Sequence, residues 1–179
     1  TTLGSAAYHG DLEAVKEFLA KGVNVNKGDY SDSTPLLSAI GKGHVEIVKE
    51  LLAAKANVDL AKKEGFTPLI LAAHTNKIAI VEALLDAGAK VSRATIYGHT
   101  ALIWAATNGN VEMVRLLLEA GSDINWADKK GNTALFFAAD RGHVDVVNII
   151  MAAAKGESLP KKKSDKPLVW AVSEGNLEE

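Results

Sequence analysis

The sequence predicts an all-α solenoid, in which short helix–turn–helix units stack side by side. Four motifs, STPLLSAI, FTPLILAA, HTALIWAA and NTALFFAA, recur with their threonines 33 residues apart. Three further series keep the same phase: leucines at Leu3, Leu36, Leu69, Leu102, Leu135 and Leu168, alanines at Ala6, Ala39, Ala72, Ala105, Ala138 and Ala171, and valines at Val15, Val48, Val81, Val114 and Val147. Units repeating at such a period each bury an apolar face on the next unit.

The first helix of a unit is predicted by the motif itself. Thr34 can accept a hydrogen bond from a free amide of the first turn, and Pro35 suits the first helical position because it has no N–H to satisfy. Leu36 and Ala39 are three residues apart and therefore share one face. Gly43 can end the helix in a left-handed conformation.

The second helix is predicted by apolar residues at helical spacing. Val45, Val48, Leu51 and Leu52 would form its buried stripe. Segments rich in Gly, Asn, Asp and Lys, such as KGVNVNKGDYSDS and AGSDINWADKKGN, separate the units. Their composition predicts turns that project into solvent.

Composition narrows the classes of function. The chain has 179 residues, a net charge of −2 and no cysteine. The charge gives no reason to expect a nucleic acid partner, and the absence of a long apolar run argues against insertion into a membrane. Neither an H-E-x-x-H motif nor a nucleophile-elbow serine is present. We therefore expect no catalytic residues, no metal and no cofactor.

The period and the TPL…A motif at Thr34 and Thr67 resemble the ankyrin repeat, as do GHVEIVKELL from Gly43 and GHVDVV from Gly142. The resemblance covers the whole chain and implies short helix pairs joined by β-hairpin-like turns. It predicts a single domain, 1–179. Its units would be an incomplete one at 1–26, full ones at about 27–59, 60–92, 93–125 and 126–158, and a truncated one at 159–179.

The sequence departs from this family at the place where ankyrin repeats usually carry a histidine after TPL. That place holds apolar residues, namely Leu37, Ile70, Ile103, Phe136 and Val169. We expect apolar packing there instead of a polar link to the backbone. Phe136 and Phe18 are the two aromatic residues expected on buried stripes.

The resemblance implies that partners bind in a concave groove lined by the first helices and the hairpin tips. Most of the aromatic residues fall at such places: Tyr8, Tyr30, Phe66, Tyr97, Trp104, Trp126, Phe137 and Trp170. We expect Trp104 to point into the groove, because it lies four residues after Thr100 on the face away from Leu102. The alternative is that Trp104, Phe137 and Trp170 pack sideways on neighbouring helices and only stiffen the stack. Trp126 could equally fold back onto its own hairpin.

Histidines and basic residues complete the candidate site. His44 and His143 belong to the Gly-His motif and are expected to be structural, whereas His74 and His99 fall on the binding face. The basic candidates are Lys129, Lys130, Arg141, Lys162 and Lys163, which lie towards one end of the array. They predict a partner with an acidic patch near the C-terminal repeats. The alternative is that these lysines are ordinary solvated surface.

The predicted function is non-catalytic protein recognition through the groove and the hairpin tips. One specific form is an inhibitor or immunity-type partner that covers an enzyme. The alternative is a scaffold element that self-associates through its truncated terminal repeat. We expect a monomer in isolation. A cytoplasmic location is favoured, unless a leader removed before Thr1 directed the protein to the periplasm or outside the cell.

Overall fold

The computed structural model describes residues 2–28 and 33–156. Within these residues it contains ten α-helices, one short 3-10 helix and no strand, which confirms the all-α class. The helices are α1 (Leu3–His9), α2 (Leu12–Ala20), α3 (Pro35–Lys42), α4 (Val45–Ala53), α5 (Pro68–His74), α6 (Ile78–Asp86), α7 (Ala101–Thr107), α8 (Val111–Glu119), α9 (Ala134–Asp140) and α10 (Val144–Ala154). The candidates Tyr30, Lys162, Lys163 and Trp170 and the unit 159–179 lie outside the described residues.

Threonine caps begin the first helix of four units, as predicted. The hydroxyls of Thr34, Thr67, Thr100 and Thr133 each accept from the amide three residues later. Gly43 ends α3 in the left-handed region, with φ of 82°. The caps satisfy amides and carbonyls that very short helices leave unpaired, so they account for the sharp boundaries of these helices.

The helices form two layers. α1, α3, α5, α7 and α9 pack on one another in a front layer, and α2, α4, α6, α8 and α10 pack in a back layer. The two helices of each pair also pack together, so the apolar core lies between the layers. No described helix is long and apolar enough to cross a membrane.

In the interior units, the residues of the repeating series form the apolar core. Leu36, Leu69 and Leu102 are buried, whereas Leu135 is only half-buried. The expectation of a buried Phe136 is wrong, because 49% of that residue is exposed, against 2% of the equivalent Ile103. Ile103 lies between two neighbouring helix pairs, whereas within the described chain no helix packs on the far side of α9. Phe18 is half-buried against the core rather than fully buried.

The turns that precede the front helices, here called fingers, are hairpin-like. Finger 2 is 60–66, finger 3 is 93–99 and finger 4 is 126–132, whereas finger 1, the equivalent turn before α3, lies partly outside the described residues. Antiparallel bridges close fingers 3 and 4 between Ala94 and Thr100 and between Ala127 and Thr133. Backbone bonds also join successive fingers, from the Ile96 amide to the Glu64 carbonyl (2.9 Å) and from the Lys129 amide to the Tyr97 carbonyl (3.1 Å). The fingers are therefore held as a row.

Two histidines tie neighbouring units together. The His44 Nε2 lies 3.2 Å from the Tyr8 carbonyl oxygen, and the His143 Nε2 lies 3.0 Å from the Thr107 carbonyl oxygen. Gly10 packs so closely that a Cβ there would come within 2.7 Å of the His44 ring. These contacts confirm the structural role predicted for both histidines.

Candidate functional site

Five of the predicted site residues form one cluster of rings on the front side of the molecule. This front cluster consists of Phe66, His74, His99, Trp104 and Phe137. The centroid of the Trp104 ring lies 4.3 Å from that of His74, 5.4 Å from that of His99 and 6.3 Å from that of Phe66. His99 also contacts Phe137 at 5.7 Å, and the Tyr97 ring lies at the edge of the cluster, with its centroid 6.3 Å from that of His99. The cluster therefore joins two fingers to three front helices.

Trp104 lies at the centre of this cluster but does not project freely from it. The residue is half-buried and packs against the apolar core, as does Phe137. The Trp104 Nε1 is buried and finds no hydrogen-bond partner among the described residues. The expectation that Trp104 points into a groove stays a prediction, and its environment and contacts are those of a side chain that also stabilises the stack.

An ordered polar network holds His99 against the next finger. The His99 Nε2 lies 3.4 Å from the Asp128 Oδ2, and only 4% of the Asp128 side chain is exposed. The Asp128 Oδ1 accepts from the amides of Lys130 and Asn132, both at 2.8 Å. Burial alone would raise the pKa of Asp128, but these amides, with smaller contributions from the Asn132 side chain and His99, leave the pKa below its ordinary value. Asp128 therefore stays ionised at neutral pH.

The tip of finger 3 is the most exposed apolar part of the site. Ile96 is 51% exposed and Tyr97 is 50% exposed. Sequence reasoning missed Ile96, although its place at the hairpin tip between Ala94 and Thr100 was a usable signal. Trp126 is partly exposed, and its Nε1 donates to the Gly98 carbonyl oxygen at 2.8 Å, so its ring is fixed against finger 3.

The remaining described candidates lie apart from the front cluster. Tyr8 is exposed on α1, where the Lys42 Nζ lies 4.3 Å from its ring centroid. Lys129 and Lys130 are exposed on finger 4. Arg141, just after α9, is exposed, and its Nε lies 4.0 Å from an Asp140 carboxylate oxygen. None of these four shares a ring contact with the front cluster.

Charge divides between the two sides of the described molecule rather than only along its length. The front helices with Arg141 and fingers 2 to 4 carry seven cations: Lys42, Lys62, Lys63, Arg93, Lys129, Lys130 and Arg141. They carry three carboxylates: Glu64, Asp128 and Asp140. Sequence reasoning placed the basic residues at the C-terminal end and missed Lys62, Lys63 and Arg93. Grouping charges by finger, instead of by position along the chain, would have found them.

Comparison with known families identifies the class of protein that this fold defines. The family described as ankyrin repeats (3 copies) matches residues 3–95 and 92–160. The chain belongs to the ankyrin repeat family. Ankyrin repeats are in general protein–protein interaction modules and are typically not catalytic. No curated protein matches the chain.

Chemistry that would indicate another kind of site is not apparent in the part of the chain that the structure describes. No group of three His, Cys, Asp or Glu side chains there is arranged to hold a metal ion. Asp128 is the described group with a clearly displaced pKa, and its carboxylate is occupied by backbone amides of its own finger. The site is therefore best described by its shape, its exposed apolar groups and its charge.

Proposed function

We propose that this protein is a non-catalytic recognition module that binds another protein with its front layer and fingers. The observation that carries the proposal is the exposed Ile96–Tyr97 tip beside the front cluster. Exposed apolar residues next to well-packed aromatic rings are typical of interface centres. Because backbone bonds join the fingers, little ordering entropy would be lost on binding.

The specific form that we propose is an inhibitor or immunity-type partner that covers the working surface of an enzyme. A preorganised row of fingers supports this form, since a rigid surface can block a second protein without changing shape. The proposal includes a single domain of six units over 1–179, a monomer in isolation, and no catalytic activity of its own.

The test compares proteins captured from the source organism by the wild type and by matched variants. Tyr97→Ala with His74→Ala removes exposed groups on the front side and should weaken capture of a specific partner about tenfold or more. Glu82→Ala with Lys49→Ala makes two changes on exposed back-layer residues. The proposal fails if both variants retain the same proteins equally, or if only the back-layer variant loses them.

Self-association is the second candidate, and one observation favours it. Phe136, Val144 and Met151 form an exposed apolar end at the last described helix pair, and 61% of Val144 is exposed. A second copy could cover this end, as one unit covers another inside the array. Sedimentation velocity decides the matter: a concentration-dependent dimer that Phe136→Ser abolishes would support a scaffold, and a single monomeric species would exclude one.

A further inference from the structure

We propose that the front face recognises an acidic protein segment that lies across the fingers and places an apolar side chain on Ile96 and Tyr97. The inference rests on the function proposed above and specifies the chemistry of the partner. Its basis is the combination of unpaired cations, an exposed apolar tip and a fixed row of fingers.

The first argument is the charge difference between the two sides. Within the described residues, the front helices with Arg141 and fingers 2 to 4 hold seven cations against three carboxylates, although the whole chain has a net charge of −2. In the back layer and the turns that follow it, the described residues hold twelve carboxylates: Asp11, Glu13, Glu17, Glu46, Glu50, Asp59, Glu82, Asp86, Glu112, Glu119, Asp123 and Asp145. The cations there are Lys16, Lys21, Lys49, Lys55, Lys77, Lys90, Arg115 and Lys155. An approaching acidic partner would thus be attracted to the front and repelled from the back.

The second argument is that the cations of the fingers form no ion pair within the described residues. On the back layer, Lys16, Lys21 and Lys49 each form an ion pair with a glutamate of the same helix. Among the described residues, no carboxylate lies within ion-pairing distance of any of the five finger cations, Lys62, Lys63, Arg93, Lys129 and Lys130. The two carboxylates of the fingers do not change this, since Asp128 is buried and bound to amides. Five positive charges are therefore available to carboxylates of a partner.

The third argument is the position of these cations around the apolar tip. The Lys129 amide bonds directly to the Tyr97 carbonyl, which places finger 4 against one side of the tip. The Ile96 amide bonds to the Glu64 carbonyl, which places finger 2 against the other side. The Lys62 Nζ lies 5.6 Å from the ring centroid of Phe66, which holds that charge beside the front cluster. An apolar side chain on Ile96 and Tyr97 would thus have cations on both sides.

The same charges could attract a nucleic acid, but the rings favour a protein. Single-stranded nucleic acids bind by stacking successive bases on open aromatic faces. Trp104 contacts the His74 and His99 rings edge to face, and His99 meets Phe137 in the same way. Trp104, His99 and Phe137 are half-buried and meet edge to face, so they do not form a row of open faces for successive bases, whereas Tyr97 and His74 are exposed. The exposed Tyr97 ring, with lysines on both sides of the tip, suits an acidic segment with a single apolar anchor.

The experiment measures binding of short labelled peptides by fluorescence anisotropy at several salt concentrations. The main probe consists of aspartate and glutamate with one central leucine, and the comparison probes replace either the leucine with serine or the acidic residues with serine. A single-stranded oligothymidine of similar length tests the nucleic acid alternative. We expect the complete acidic probe to bind most tightly and its affinity to fall as salt rises.

Two charge-matched variants test whether the acidic probe binds at the fingers. The finger variant combines Lys62→Ser, Arg93→Ser, Lys129→Ser and Lys130→Ser. The back-layer control combines Lys16→Ser, Lys49→Ser, Lys90→Ser and Arg115→Ser. Both variants remove four positive charges, so a difference between their affinities for the acidic probe reports on where the probe binds rather than on the net charge of the protein. The finger variant should lose about tenfold or more of its affinity, and the control should lose less than about threefold.

Several results would overturn the inference. They are equal losses in the two variants, tighter binding of the oligothymidine than of the acidic probe, or no effect of replacing the leucine. Failure here is distinguishable from failure of the proposed function. A captured partner that depends on Tyr97 but associates at a rate independent of salt would leave protein recognition intact and refute the acidic segment. Loss of Tyr97-dependent capture would instead refute the recognition module.

Discussion

The fourth and the last described helix pairs, α7–α8 and α9–α10, share one motif but differ in burial. Thr100 and Thr133 cap their first helices in the same way. In the fourth pair Leu102 and Ile103 are buried, whereas in the last pair the equivalent Leu135 is half-buried and Phe136 is largely exposed. The local motif thus sets the helix and its cap, and the neighbouring unit decides how much of the apolar face is buried.

The largest expected effect is a difference in stability between two equivalent leucines. Leu102→Ala should lower the free energy of unfolding by about 2–5 kcal/mol, because it leaves a cavity between packed units. Leu135→Ala should cost about half as much or less, since solvent already reaches that side chain. Urea unfolding followed by circular dichroism measures both. Equal losses would show that the two helix pairs are packed alike.

The next prediction concerns Trp104 and distinguishes the contribution of its ring to stability from that of its buried N–H group. Trp104→Ala should cost about 2 kcal/mol or more, because the ring contacts Phe66, His74 and His99 and packs on the core. Trp104→Phe should cost less than about 1.5 kcal/mol, since it keeps a ring and removes a buried N–H that lacks a partner.

These Trp104 variants are compared by thermal unfolding monitored in the far ultraviolet. An alanine variant as stable as the wild type would restore the expectation of a groove-facing tryptophan with no structural role. Because Trp104 stabilises the stack, binding is better tested at Tyr97 and His74, which are exposed.

The sequence predicted the repeat phase, the threonine caps and Gly43, because each depends on local chemistry within a few residues. It also predicted that Phe66, His74, His99, Trp104 and Phe137 lie on one side of the array, since the repeat phase places them there. It could not predict the depth of Trp104 or the exposure of Phe136, which depend on packing between units. It also missed Ile96, whose exposure follows from the bend of finger 3 and not from its residue type.

A smaller effect is expected where the last described helix pair, α9–α10, contacts the fourth pair, α7–α8. His143→Ala removes the contact with the Thr107 carbonyl and should cost about 1–3 kcal/mol. Hydrogen exchange should show the loss chiefly in α10, with α3 to α6 protected as before. His44→Ala is the matched variant at α4, where the contact is with the Tyr8 carbonyl. Faster exchange spread evenly over the whole array after the His143 change would contradict a local tie between these pairs.

The smallest effect concerns Asp128, which joins finger 4 to His99 of finger 3. Its pKa is lowered in the folded state, because amide donors outweigh the opposing effect of burial. A carboxylate with a lowered folded pKa stabilises the fold above its unfolded pKa, and this stabilisation is lost as pH falls through the folded value.

Asp128→Asn retains an acceptor for the amides of Lys130 and Asn132 but loses the charge facing His99. It should therefore cost about 0.5–1.5 kcal/mol at neutral pH. The difference from the wild type should shrink as the solution is acidified below the ordinary aspartate range, when the wild-type carboxylate is protonated too. Urea unfolding of both proteins across this pH range measures the difference directly. A constant difference at all pH values would mean that the geometry of the side chain, and not its charge, holds the two fingers together.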